Sequence, residues 1–240
     1  MKIHIVMHEE FEGPGAFKHW IESHDYHTSY TKLYLNESLP KDTDFLDMLI
    51  IFGGPQSPKT TQLECSYFDS KAEINLIQTC IQKGKAVIGV CLGAQLIGEA
   101  LGATFETSPE QEIGFFPVSL TETGKTNKKF THFQNSTVIG HWHNDMPGLT
   151  ENCKILATSE GCPRQIIEYT DIVYGFQCHL EFTPDLIELL IKNSSKELES
   201  AKNARFVQQA DELRDHNYYI EMNKLLFSFL DKLVYSYQKS

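Results

Sequence analysis

In the first hundred residues, short apolar runs alternate with segments whose apolar side chains recur at helical spacing. The run 2–7 and the run that ends before Gly53 predict strands, because they are short, apolar and rich in isoleucine and leucine. Between them, Phe17, Trp20 and Ile21 fall on one face of a predicted helix. Strands that alternate with helices in this way predict βαβ units and a parallel sheet.

The stretch KAVIGVCLGAQLIGEALGA, residues 85–103, predicts one more strand followed by a helix. Residues 85–90 are apolar and β-branched, whereas 94–101 have their leucines and isoleucine at helical spacing. Cys91 lies at the turn between them, with a glycine two residues to either side that lets the backbone bend sharply and pack closely. A thiol at a helix N-terminus meets the positive end of the helix dipole, so we expect its pKa to be lowered. This arrangement is typical of a nucleophile elbow.

The helix before this elbow has signals at both of its ends. Ser70 and Glu73 have the spacing of a capping box, which predicts the start of the helix. Gly84 predicts its end.

After Gly102 the pattern changes to several short strand-like runs, which predict a mixed or partly antiparallel portion of the sheet. Thr183 and Pro184 match an N-cap followed by the first residue of a helix, and the chain beyond them is predicted to be helical. We therefore expect an α/β fold: a three-layer sandwich with a mixed, largely parallel central sheet flanked by helices. The sheet would belong to a domain over 1–184, with a helical C-terminal extension, 185–240, packed on it.

Composition narrows the classes of partner. The chain has 240 residues, a formal net charge of −11 and no cluster of lysine and arginine, so neither nucleic acid nor a membrane surface is expected as a partner. No apolar run approaches the length of a membrane span, and the first residues lack the apolar core of a signal peptide. Six cysteines without a C-x-x-C pair indicate free thiols. We expect a cytoplasmic protein.

A cysteine nucleophile needs a base and a group that orients the base. His179 and Glu181 form an H-x-E pair, and in an extended segment both side chains project to the same face, so Glu181 could hold the imidazole towards Cys91. The FGGP loop ends a neighbouring predicted strand. The backbone N–H groups of Gly54 and Leu92 are candidate donors to an oxyanion.

The order of these motifs, GGP, then GVCLGAQ, then HLE, resembles the class I glutamine amidotransferases of the triad type, a resemblance that covers most of residues 1–185. The stretches HEEFEGPG, HWHND and YGFQCHLE are similar to the amidotransferase domain of GMP synthase. The resemblance implies a flavodoxin-like fold. It also implies Cys91 as nucleophile, His179 as base and then acid, and Glu181 as the orienting carboxylate. Further residues are implied as oxyanion donors and substrate contacts: Gly54 and Leu92, and Gly53, Gln95 and His143.

The implied reaction is hydrolysis of the γ-amide of glutamine to glutamate and ammonia through a thioester at Cys91, with ammonia passed to an acceptor enzyme on a separate chain. Neither a metal nor an organic cofactor is implied. In the family, phenylalanine often precedes this histidine and proline follows it, whereas here the neighbours are Cys178 and Leu180. This departure leaves the three catalytic residue types in place.

Three other interpretations remain open. A γ-glutamyl peptidase would use the same three residues on the same carbonyl. HWHND also matches H-x-H-x-D, so His141, His143 and Asp145 could bind the metal of a metallohydrolase, although Met146 stands where that pattern usually continues with histidine. A binding module that keeps the fold without the chemistry is the third, and the presence of all three catalytic residue types argues against it.

Overall fold

The computed structural model describes residues 1–239, whose ten strands form one sheet. The strands are β1 (Lys2–Met7), β2 (His27–Lys32), β3 (Met48–Ile51), β4 (Ala86–Val90), β5 (Glu106–Leu120), β6 (Ser136–Met146), β7 (Lys154–Thr158), β8 (Ile166–Thr170), β9 (Val173–Phe176) and β10 (Phe206–Val207). The α-helices are α1 (Ala16–Ser23), α2 (Ser70–Gln82), α3 (Leu92–Ala100), α4 (Glu122–Thr126), α5 (Pro184–Asn193), α6 (Ser195–Ser200), α7 (Ala210–Arg214) and α8 (Tyr219–Tyr237).

The sheet has a parallel half and a mostly antiparallel half. Its order is β10-β5-β7-β8-β9-β4-β3-β1-β2, with β6 paired to β5. Within the run β9-β4-β3-β1-β2, each pair of neighbouring strands is parallel. The pairs β5–β6, β5–β7, β7–β8 and β8–β9 are antiparallel. Two buried apolar clusters accompany the sheet, and helices contribute to both, so the expected α/β sandwich with a mixed sheet is confirmed.

The strand order reverses beside β1, which lies between β2 and β3. In open parallel sheets, ligands bind at such a reversal, outside the carboxyl ends of the strands. Three loops or turns leave the sheet at this edge: the segment after β1 that contains Glu12, the Gly53–Gly54 loop after β3, and Cys91 after β4. The fold therefore brings three distant parts of the sequence to one place.

Local signals located several elements correctly. Thr183 is the N-cap of α5, its hydroxyl accepts a hydrogen bond from the N–H of Leu186, and Pro184 is the first helical residue, as predicted. The prediction that Ser70 and Glu73 form the capping box of α2 was wrong. Asp69, one residue earlier than predicted, caps α2 by accepting the N–H of Ala72.

The segment after residue 184 folds onto the same core as the sheet. It contains β10 in addition to helices, and β10 pairs in parallel with β5. The longest helix, α8, packs against α1, where the indole N–H of Trp20 donates to Asp231 at 2.7 Å. Within residues 1–239, no helix combines the length and apolarity needed to cross a membrane.

Candidate active site

Cys91 lies in the turn between β4 and α3, at the N-cap of the helix. Its φ is 52° and its ψ is −112°, a conformation that non-glycine residues rarely adopt and that costs about 1–3 kcal/mol. The backbone N–H of Cys91 donates to the carbonyl of Phe176 at 2.7 Å, which ties the turn to β9. The nucleophile elbow predicted from the sequence is therefore present.

The two flanking glycines serve close packing rather than the bend itself. A Cβ on Gly89 would lie 2.3 Å from the backbone of Gly93, and a Cβ on Gly93 would lie 2.1 Å from the carbonyl oxygen of Ile51. Neither glycine has a positive φ; the strained dihedral falls on Cys91 itself. The helix can therefore pack directly against β3 and β4 because these positions carry no side chain.

His179 and Glu181 form the hydrogen-bonded pair that the H-x-E motif predicted. His179 Nδ1 lies 2.7 Å from Glu181 Oε1, and both side chains are buried. The N–H of His179 donates to the carbonyl of Gly140 at 2.7 Å, which fixes the segment against β6. Burial alone would lower the pKa of His179, but the charge of Glu181 and the interaction with Cys91 in its thiolate form raise it to about 10. The surroundings of His179 therefore favour the protonated imidazole.

The pKa of the thiol is raised, contrary to the expectation from the helix dipole. Burial raises the pKa of Cys91, although His179 and the N–H of Leu92 act in the opposite direction. The thiol lies 3.7 Å from the carbonyl of Trp142 and donates to it. His179 Nε2 has no hydrogen-bond partner among residues 1–239.

The GGP loop packs against the elbow and rests on a buried ion pair. A Cβ on Gly53 would lie 3.3 Å from Cys91 Cβ, so this glycine permits the contact. His8 Nδ1 lies 3.1 Å from the carbonyl of Gly53, and its Nε2 lies 2.9 Å from Glu73. Because both ring nitrogens face acceptors, His8 is an imidazolium. Burial opposes that charge, but Glu73 raises the pKa of His8. The oxyanion donor predicted at Gly54 lies in this supported loop and lines the same cavity as Cys91.

Cys91 lies in the wall of a cavity of about 650 Å³. Gln95, predicted to contact substrate, lines the cavity and donates from Nε2 to Gln177 Oε1 at 3.2 Å. His143, also predicted to contact substrate, lies in the same wall. The start of α6 covers one side, where Glu197 accepts the indole N–H of Trp142 at 3.0 Å.

Glu12 is a residue of this cavity that the sequence reasoning missed. A Cβ on Gly53 would lie 2.5 Å from Glu12 Oε2, so the carboxylate lies against the GGP loop beside Cys91. Desolvation raises the pKa of Glu12 from 4.5 to about 7, while the positive charges of His179 and His8 act in the opposite direction. In the sequence, Glu12 is the third glutamate of HEEFE, and no local signal separates it from the other two.

His141, His143 and Asp145, the residues of HWHND that the metallohydrolase alternative would use, do not come together as one site. His141 and His143 lie together, but the third ligand-type side chain beside them is Glu112 from β5, and Asp145 does not belong to this group. Asp145 instead lines the cavity that contains Cys91. Burial lowers the pKa of His141 to about 3 and lowers that of His143, so both rings are neutral.

The sequence profile of the family described as glutamine amidotransferase class-I matches residues 15–197, which include Cys91, His179 and Glu181. The chain belongs to the class I glutamine amidotransferase family. The glutamine amidotransferase-like protein YfeJ of Salmonella typhimurium is 50% identical over 239 residues, 100% of each chain. The crystal structure of SMU.1228c superposes with a TM-score of 0.95 at 47% identity, covering 98% of this chain and 100% of that one. A glutamine-hydrolyzing GMP synthase of Lactococcus lactis is 30% identical over 135 residues, 55% of this chain and 24% of that enzyme.

Cys178 and Leu180, which depart from the usual amidotransferase pattern on either side of His179, pack in the protein core. Cys178 and Leu180 are both buried, and the thiol of Cys178 lies 3.7 Å from the carbonyl of Gln165. The bond between His179 and Glu181 is present despite these neighbours. In this member of the family, the two departures therefore leave the His179–Glu181 hydrogen bond in place.

Proposed function

We propose that this amidotransferase hydrolyses the γ-amide of glutamine through a thioester at Cys91. The observation that carries the proposal is the buried hydrogen bond from His179 to Glu181, beside a strained elbow cysteine in the wall of a cavity. A carboxylate, an imidazole and a thiol in this order are the parts of a general-base-activated nucleophile. Family membership supports the same assignment.

The reaction proceeds in two halves. His179 Nε2 takes the thiol proton as the sulfur of Cys91 attacks the γ-carbonyl carbon, and the imidazolium then gives that proton to the departing ammonia. Water attacks the thioester with His179 again as base, which releases glutamate and restores the thiol. Glu181 stabilises the imidazolium in both halves without leaving its hydrogen bond. The backbone N–H groups of Leu92 and Gly54 stabilise the oxyanion in this scheme.

Glu12 provides the charge that a free amino acid substrate needs. An α-ammonium group is a cation, and its desolvation in the cavity is offset by a carboxylate within reach of the same site. Glu12 lies beside Cys91 against the GGP loop, so it is the carboxylate we assign to the ammonium group. Gln95, Gly53 and the backbone of His143 complete the proposed substrate contacts, since the ring of His143 is buried away from the cavity. The released ammonia passes to an acceptor enzyme on another chain.

The size of the cavity favours a second candidate, a γ-glutamyl peptidase with the same triad. About 650 Å³ lies within the range of about 300–1,000 Å³ that holds drug-sized ligands, so there is room for a residue beyond the scissile bond. A tenfold or larger kcat/KM for a γ-glutamyl peptide over glutamine, about 1.4 kcal/mol, would select this candidate.

The nucleophile is tested by labelling and substitution together. We expect a glutamine-mimicking electrophile to modify Cys91 before the other five cysteines, as measured by mass spectrometry of peptides. Cys91→Ser should lower turnover of the preferred substrate on the order of 10³-fold or more, because an undissociated hydroxyl replaces the thiol. Cys162→Ser, at a buried cysteine in the loop before β8, is the matched control and should keep activity. First labelling at another cysteine with Cys91 untouched contradicts the assignment.

A further inference from the structure

Apart from the catalytic relay, Glu112, His141 and His143 form a buried cluster of metal-ligand atoms. Glu112 lies on β5 and the two histidines on β6, and the side chains of all three are at most 1% exposed. Their facing atoms lie within 4.8 Å of one another. Two imidazoles and one carboxylate are a donor set that suits zinc and its neighbours in the first transition row.

The spacing of these atoms matches the edges of a tetrahedral site. His141 Nδ1 lies 3.4 Å from His143 Nε2 and 3.5 Å from Glu112 Oε2. His143 Nε2 lies 3.3 Å from the same oxygen. In a regular tetrahedron with metal–ligand distances of about 2.0–2.1 Å, the ligand atoms lie about 3.3–3.4 Å apart. The three side chains are thus already at the separations that zinc requires.

Gln165 lies near the fourth corner, at the tetrahedral separation from both histidines but closer than that to Glu112. Its side-chain amide group lies 3.3 Å from His141 Nδ1, 3.2 Å from His143 Nε2 and 2.6 Å from Glu112 Oε2. With Nε2 in this position, an NH₂ group with two hydrogens faces four acceptor-type atoms, since Ser159 Oγ is also 2.9 Å away. A rotation of the amide by 180° places Oε1 at the corner instead, as a neutral oxygen ligand.

Hydrogen bonding alone does not balance this cluster. Glu112 Oε2 is approached by both histidines, by Ser159 at 2.8 Å and by Gln165, whereas Glu112 Oε1 has no partner among residues 1–239. If both inner ring nitrogens carry protons, four donors crowd one oxygen, and if neither does, two lone pairs face an anionic oxygen. One protonated and one unprotonated nitrogen relieve this crowding, but the buried carboxylate of Glu112 then keeps its charge, with only the two histidines as ion-pair partners among residues 1–239. A divalent cation at the centre of the four atoms would balance that charge.

The backbone around the cluster is shaped to hold it. Glu112 is the cross-strand partner of His143, and the register of β5 and β6 shifts between Thr107 and Glu112, immediately before this pair. A Cβ on Gly161 would lie 2.7 Å from Glu112 Cδ, so the carboxylate occupies space that only glycine leaves open. Three strands or loops that are distant in sequence thereby converge on one point.

We propose that Glu112, His141 and His143 bind a divalent transition-metal ion, best matched by zinc, with the side-chain oxygen of Gln165 as the fourth ligand. Because all four positions are taken by protein atoms and the site is closed, the ion has a structural role and not a hydrolytic one. It joins β5, β6 and the residue before β8. The same β6 contacts the relay through its carbonyls: Gly140 accepts from His179 and Trp142 from Cys91. The site therefore fixes the strand that positions the catalytic residues.

The test begins with chelator-stripped full-length protein, to which zinc or cobalt is added. We expect about one equivalent of bound metal by elemental analysis, and a cobalt form with the intense visible absorption of a four-coordinate site. Zinc at a hundredfold excess over its Kd should raise Tm by about 5–10 °C. Glu112→Gln and His143→Asn should each weaken binding at least about 100-fold, whereas His132→Asn, at an exposed histidine, should not.

A further variant, Gln165→Glu, tests the metal site if Glu112→Gln and His143→Asn do not fold. It places a second carboxylate 2.6 Å from Glu112, so the metal-free variant should melt below the unsubstituted protein, and zinc should restore its Tm. The proposal is overturned if the unsubstituted protein binds no zinc at micromolar concentration. It is equally overturned if Glu112→Gln retains full binding, since the metal would then be held elsewhere, for example by thiols. Metal content and Tm decide the matter independently of turnover, so the proposed glutaminase activity is tested separately.

Discussion

Replacing Glu12 with glutamine tests two properties of this carboxylate. One is the free energy of folding that its desolvation costs, and the other is its proposed role in binding the substrate. In the folded protein the pKa of Glu12 is raised to about 7 from 4.5 by desolvation. The folded chain therefore holds this proton more tightly than the unfolded chain. The resulting stability is complete below about pH 4.5 and is lost as the pH rises through 7. Glu12→Gln keeps the shape of the side chain and stays neutral at every pH.

The size of the effect follows from the two pKa values. A difference of about 2.5 in pKa corresponds to about 3 kcal/mol at most, since one pKa unit is about 1.36 kcal/mol. For a chain of this length each kcal/mol moves Tm by about 2–4 °C, so Glu12→Gln should raise Tm by up to about 6–12 °C at about pH 8. At about pH 4.5 the two proteins should melt at nearly the same temperature, because Glu12 is then protonated in the fold.

The assay is a pair of melting curves at the two pH values, with the substrate kinetics measured on the same samples. Glu10→Gln, at an exposed glutamate two residues away, is the matched control and should leave Tm unchanged. If Glu12 binds the α-ammonium group, Glu12→Gln should also lower kcat/KM about 10- to 100-fold, mainly through KM. A variant that melts no higher than the unsubstituted protein at about pH 8 refutes the reasoning on desolvation, and an unchanged KM refutes the assignment to substrate.

Two further predictions address the relay and the elbow. Glu181→Gln should keep a kcat about 10- to 100-fold higher than that of His179→Ala, because the carboxylate orients and stabilises the imidazole but does not carry the proton. Negligible losses of kcat in both variants would show that the H-x-E pair is only a strand end. Gly93→Ala should lower the free energy of unfolding by about 3 kcal/mol, since its Cβ would lie 2.1 Å from the carbonyl of Ile51. Gly13→Ala, whose Cβ would meet nothing closer than 3.6 Å, is the control, and equal denaturation midpoints for the two alanine variants would contradict the packing argument.

The elements with local signals were predictable from the sequence. The elbow at Cys91 follows from a buried strand, two glycines and a helical repeat, and Thr183 follows from its capping chemistry. The strand β2 was missed because its sequence, HTSYTK, is polar and lies at the edge of the sheet, where one side faces solvent. The strand β10 has only two residues and depends on β5 for its existence.

The parts of the site that failed prediction depend on contacts between distant segments. Glu73 has the spacing of a capping residue, yet it pairs with His8, 65 positions earlier, because the fold buries both together. Glu12 has no distinguishing neighbour in the sequence and acquires its raised pKa only against the GGP loop. Glu112 replaces Asp145 beside the two histidines, because β5 and β6 pair in the register that a pattern read along one strand cannot show.

The contact between the first and last helices also determines when the protein can fold. Trp20 is buried against α8, and its partner Asp231 lies 211 residues later in the chain. At about 5–20 residues per second, a ribosome needs about 10–40 s to make the intervening segment, and more to release α8 from its exit tunnel. During that time the apolar face of α1 has no α8 to cover it and is open to association with other chains. We therefore expect the nascent protein to depend on chaperones until α8 has left the exit tunnel and can cover α1.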